Sequence, residues 1–153
     1  MITKSSGFSL VELLVVVAII GILSATGMVV YSGYVSSAKR TSAENTLQQI
    51  SLAQSEQFAN AGSYFKTHDA NTCIPDDPIA DPRDGNGSNS LIELNLFDND
   101  LIINREGNYG FCIAGEFTSD YTVITREFSG GTPANCILSI TKRGGIQKTG
   151  DDC

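Results

Sequence analysis

The chain has 153 residues with 10 basic and 17 acidic side chains, a net charge of −7, and that balance argues against nucleic acid as the main partner. The length accommodates an N-terminal helix and one globular domain of roughly 90 residues, a size at which disulfides commonly supplement the core. A single histidine, His68, and the lack of any G-x-S-x-G, P-loop or metal-ligand motif leave an enzyme reading without a foothold, so no catalytic residue, cofactor or metal is expected.

The chain opens on a short polar leader, Lys4-Ser5-Ser6-Gly7, followed by Phe8-Ser9-Leu10-Val11-Glu12-Leu13. An apolar run from Leu13 to Tyr31 (LLVVVAIIGILSATGMVVY) comes next, and no charged residue occurs from Leu13 to Ala38. At 1.5 Å per residue the run spans about 28 Å, close to the hydrocarbon thickness of a bilayer. An ordinary anchor would not carry a glutamate at its edge. Three plainer readings compete. A secretory signal peptide would use Lys4 as its basic end and Ser24-Ala25-Thr26 as a poor cleavage site, but Glu12 and the long uncharged continuation weigh against it. The others are a simple single-span anchor and a buried core helix, which so short a domain could hardly cover.

Gly7, Phe8, Ser9, Leu10, Val11, Glu12 and Leu13 together resemble the processing motif of the type IV pilin family, of the type IVa kind, and the likeness extends from Lys4 to about Tyr34. The resemblance implies that prepilin peptidase cuts Gly7–Phe8, that Phe8 becomes the N-methylated residue, and that Glu12 is a buried charge used in assembly. It also implies a pilin fold and identical subunits as partners in a helical filament. The precursor would sit in the inner membrane and be handed by the assembly machinery to an extracellular pilus. One departure stands out. Many members have a proline in the second half of the apolar run, and this chain has none before Pro75. Gly21 and Gly27 remain as weak points, each costing about 1 kcal/mol of helix propensity relative to alanine. In lipid the helix should persist, because unpaired backbone is costly there; a packed filament is where this segment is expected to loosen.

The physics of Glu12 points the same way. An isolated carboxylate in hydrocarbon must pair or be neutral. Cleavage before Phe8 would create an amine four residues away, one helical turn, on the same face. A carboxylate there also suits the positive end of the helix dipole. Between axially offset subunits, an amine–Glu12 pair would report correct register.

From Tyr31 to about Ala61 the sequence turns polar and stays helical, with Ala43, Leu47, Ile50, Phe58 and Ala61 as a narrow apolar stripe. Continuous with the apolar run, this predicts about 54 helical residues, or about 80 Å, stopped at Asn60-Ala61-Gly62-Ser63. Residues Thr67 to Ser90 read as a loop rich in Asp, Asn, Pro and Gly. Its Asp76, Asp77, Asp81 and Asp84 invite a calcium reading, but EF-hand spacing is lacking and solvation accounts for them. Leu91 to Asn104 reads as a short helix, alone or followed by a strand. Strands are expected over Asn108–Glu116, Ser119–Phe128 and Ala134–Thr141, with Gly130-Gly131-Thr132-Pro133 as a turn. Lys142, Arg143 and Lys148 fit a solvated hairpin edge, with contact to a partner subunit or DNA as the alternative.

The expected fold class is therefore α+β: a long N-terminal helix packed on a small antiparallel sheet. The expected division is leader 1–7, filament-core helix 8–34, amphipathic helix 35–61 and head 62–153, with its acidic loop at 67–90 and its sheet at about 108–148. Cys73, Cys112, Cys136 and Cys153 lack C-x-x-C spacing, and an even count behind an export-type N-terminus reads as two disulfides. Three connectivities are open. Cys73–Cys112 with Cys136–Cys153 is favoured, because it pins the acidic loop to the sheet and ties down Gly150–Cys153; Cys112–Cys136 would do neither. The resemblance agrees, since a disulfide commonly closes the C-terminal region of type IV pilins. The reading is a structural pilus subunit serving adhesion, motility or DNA uptake. A pseudopilin of a type II secretion system and a membrane-anchored binding module are the rivals.

Overall fold

A computed structural model describes residues 7–68, 73–75, 87–103, 107–116, 118–129, 131–151 and 153, without the side chains of residues 28 and 29. Leader residues 1–6, including Lys4, lie outside the described residues, as do Asp76, Asp77, Asp81 and Asp84. The chain divides into two compact units, Met1–Ala38 and Lys39–Cys153. Helix α1, Leu10–Ala61, contributes to both.

In the first unit α1 is apolar all round. An 18-residue window has a mean hydropathy of 2.7 and none of it is buried. The segment is long and apolar enough to cross a membrane, by length and composition. The helix runs unbroken through Gly21 and Gly27. Ser24 Oγ donates to the Ile20 carbonyl (2.7 Å) and Thr26 Oγ1 to that of Leu23 (3.1 Å), so both hydroxyls are satisfied without water.

In the second unit α1 presents one face. Ala43, Thr46, Leu47, Ile50 and Gln54 are buried, and Phe58 packs against the same core. Spacings of three and four residues place them in one stripe. Ala61, expected in that stripe, is exposed, because the helix ends there: Gly62, at φ 72°, donates to the Phe58 carbonyl at 2.8 Å, a left-handed stop that glycine adopts without strain.

The sheet is an antiparallel meander in the order β1 (Tyr109–Glu116), β2 (Asp120–Ser129), β3 (Thr132–Thr141) and β4 (Ile146–Thr149). Tyr109, Phe111, Ile113, Tyr121, Val123, Leu138 and Ile140 join Leu47 and Ile50 in one core. Gly110, Cys112 and Ala114, between them, are buried as well, so β1 is covered on both faces. The turn between β2 and β3 is shorter than expected. Thr132 and Pro133 belong to β3, where they pair with Ser129 and Phe128. Gly131, at φ 81°, supplies the tight reversal. The β1–β2 hairpin closes on Gly115 (φ 130°), whose missing Cβ would stand 2.5 Å from the Asp120 carbonyl oxygen.

Helix α2 (Ser88–Leu96) starts inside the segment expected to be loop, and residues 97–103 after it form no strand. Three amides of this segment bond to Glu93 instead. Its carbonyl accepts from Phe97 (3.2 Å) and Asn99 (2.9 Å), and its carboxylate, almost fully buried, accepts the Ile103 amide at 3.0 Å. The outer edge of β1 is capped by side chains. Asn89 Oδ1 accepts the Phe111 amide (2.7 Å) and Thr67 Oγ1 that of Ile113 (3.0 Å), which closes an edge that would otherwise invite pairing.

Gln54 ties α1 to the Tyr64-Phe65 segment beyond its end. Fully buried, its amide donates to the Phe65 carbonyl (2.6 Å) and accepts the Phe65 amide (2.9 Å). Replacing it by leucine keeps the volume but strands both backbone groups, so Gln54→Leu should cost about 2–4 kcal/mol. The exposed Gln49→Leu should stay within about 0.5 kcal/mol. Urea unfolding of the two variants, side by side in detergent solution, checks the difference.

Candidate functional site

Gly7, Phe8 and Ser9 precede the first helical residue, Leu10, so the Gly7–Phe8 bond lies outside α1, where a peptidase could reach it. Phe8 is 78% exposed. A Cβ at Gly7 would meet nothing within 4 Å among the described residues, so none of those residues requires glycine there. A requirement for glycine would have to come from a second molecule approaching the backbone closely.

Glu12 sits in the first turn. The Ser9 carbonyl accepts from the amides of Glu12 (3.1 Å) and Leu13 (3.2 Å), and Glu12 Oε2 accepts the Ser9 amide at 3.4 Å. This is the acidic half of a capping box, with Ser9 at the N-cap and Glu12 at the third helical position. The sequence reading missed this use of Ser9, although the Ser-x-x-Glu spacing before an apolar run is its recognised signal. At 3.4 Å this contact is longer than an ordinary N–H···O bond, so the carboxylate keeps most of its capacity for a stronger partner.

The four cysteines stand as two pairs. Cys73 and Cys112 are bonded with their Cα atoms 6.2 Å apart; with Ala114 and Ile124 they form a small second cluster that fastens the 73–75 segment to β1. Cys136 and Cys153 are bonded with Cα atoms 4.9 Å apart. Around that second bond, Arg40 Nη1 donates to the Cys153 carbonyl at 2.7 Å and Lys148 meets Glu44 at 2.7 Å. The end of β4 is thereby held to α1 as well as to β3. Arg40 also opposes Glu127 beside the Tyr109 phenol, whose pKa is raised, mainly by burial and then by the Glu127 carboxylate. Of the three basic residues near the hairpin, Lys142 lies over the Phe58 and Tyr64 rings (5.8 and 5.4 Å), and Arg143 is exposed.

Among the described residues no group of three or more His, Cys, Asp or Glu side chains could hold a metal. An open groove of about 370 Å³ runs between α1 and the end of α2. Glu56, Gln57, Asn60, Asn95 and Asp98 supply its polar lining, and no thiol, imidazole or hydroxyl is present there to act as a nucleophile.

Residues 2–28 match the family model described as the prokaryotic N-terminal methylation motif. No curated protein and no solved structure matches the chain.

In the chain-entropy picture the loops closed by the two bonds, spanning 39 and 17 residues, are worth about 4 and about 3 kcal/mol. Cys73→Ser with Cys112→Ser should therefore destabilise the second unit somewhat more than Cys136→Ser with Cys153→Ser. Denaturant midpoints of the two double variants, measured without reductant, test that order.

Proposed function

We propose that this chain, type IV pilin-like or pseudopilin-like by the methylation motif at residues 2–28, is a structural subunit of an extracellular type IV pilus. Its partners are identical copies packed through α1, after prepilin peptidase has removed residues 1–7 and Phe8 has been methylated. The observation that carries the reading is Glu12, the only charge on α1 before Lys39, set one turn from the amine that cleavage at Gly7–Phe8 would release. In a precursor the segment from Leu10 anchors the chain in the inner membrane. In a filament the Phe8 amine of one copy pairs with Glu12 of another, and register follows because any other offset leaves a carboxylate unpaired among apolar side chains. The two disulfides favour an oxidising destination. The methylation-motif family is structural rather than enzymatic.

Intact-mass analysis of surface filaments sheared from cells should find the chain beginning at Phe8 and heavier by one methyl group. Recovery of filaments that retain residues 1–7 would remove the assignment. Gly7→Val should block cleavage and leave the full-length chain in the membrane fraction. Glu12→Ala should leave both disulfides and the thermal unfolding of the head unchanged while reducing filament yield by at least about tenfold, the equivalent of about 1.4 kcal/mol per contact. Normal assembly of Glu12→Ala would place the role of the carboxylate elsewhere.

A further inference from the structure

The five tyrosines fall into two classes. Tyr64, Tyr109 and Tyr121 are buried. There the Tyr109 hydroxyl donates to Glu127 (3.3 Å), Tyr121 shares a hydrogen bond with Ser51 Oγ (2.8 Å), and Tyr64 stacks on Phe58 (4.5 Å). Tyr31 and Tyr34 are 70% and 72% exposed, and nothing among the described residues bonds either hydroxyl. Three residues apart on α1, they share one face. They stand where the uninterrupted apolar run ends, with Lys39 as the next charged residue.

Their depth is set by helix geometry. At 1.5 Å per residue Tyr31 lies about 28 Å along the helix from Glu12, and Tyr34 about 33 Å. These distances bracket the far edge of a hydrocarbon layer about 30 Å thick. A phenol has an apolar ring and a polar tip, so it is costly with its hydroxyl unpaired in hydrocarbon and wasteful of apolar surface in water. The glycerol and carbonyl level of a bilayer satisfies both parts.

We propose that Tyr31 and Tyr34 form an interfacial anchor that seats the far end of the apolar segment at the lipid carbonyl level. This rests on the membrane placement of the precursor and not on cleavage at Gly7–Phe8, so the uncleaved chain is the material to test.

The full-length chain, with isotope-labelled tyrosine rings, is reconstituted into nanodiscs of phosphatidylglycerol and phosphatidylcholine. Tyr31→Phe and Tyr34→Phe identify the two resonances. Nitroxide placed near the lipid carbonyls should broaden both at least about twofold more than nitroxide at the chain ends or a chelate confined to water. Equal or stronger broadening from the chain ends, or from the aqueous chelate, would overturn the proposal. So would protection from all three together with cross-linking between copies, which would assign the rings to a helix–helix contact. Because the chain has no tryptophan, Ile20→Trp gives a depth reporter. Its quenching profile by brominated lipids should shift when Tyr31→Ala and Tyr34→Ala are added. An unchanged profile would show that the tyrosines occupy the interface without anchoring, and that too overturns the proposal.

Discussion

Glu12 is the electrostatic constraint on which the N-terminal half of the protein turns. From Leu13 to Ala38 the helix offers no second charge, and its apolar side chains are exposed on every face. The carboxylate therefore stands at the mouth of a segment that is comfortable only in an apolar surrounding, which is where an unpaired charge is least tolerable. Within the chain its only described relief is the long bond from the Ser9 amide, aided by the positive end of the helix. Under the proposed function the missing charge is supplied by processing, which creates an amine one turn away. The non-helical backbone at Gly7–Ser9 and the open space around Gly7 are compatible with that sequence of events.

The second unit solves a different problem, how to hold a small sheet without leaving sticky edges. One edge, β1, is sealed by polar side chains: Asn89 and Thr67 take the amides of Phe111 and Ile113, and the Cys73–Cys112 bond covers its far face. The other edge, β4, is only four residues long and carries Lys148, both recognised ways of blunting an edge strand. Buried Gln54 and Glu93 act in the same spirit, completing backbone hydrogen bonds in connections that lie off the sheet. An orderly head of this size thus depends on a handful of hydrogen-bonded buried polar groups as well as on apolar area.

What was legible in the sequence depended on periodicity and on charge. The uncharged run, the place of Glu12, the Ala43–Leu47–Ile50 face and the approximate places of β1, β2 and β3 all come from side-chain patterns that a helix or strand must respect, and they reappear in the structure, although β1 is buried on both faces rather than one. The polar anchors were not legible. Thr46, Gln54, Asn89 and Glu93 are buried, yet by residue type they read as surface or loop, because only a partner from a distant part of the chain makes their burial tolerable.

The sequence by itself therefore determined the long helix, the difference between its two halves, the motif at its start and the α+β class, since these are consequences of local pattern and hydropathy. Only the tertiary structure decided that Pro133 is strand rather than turn, that Leu101–Ile103 docks on Glu93 instead of adding a strand, and that Ala61 lies beyond the buried stripe. It also decided which cysteines stand within bonding distance, where spacing alone left three pairings open. For the cysteines the outcome turns on contacts between residues far apart in the chain, and no local propensity encodes which of several possible partners a thiol will find; for the others it turns on which of two sterically allowed local hydrogen bonds the packed core selects.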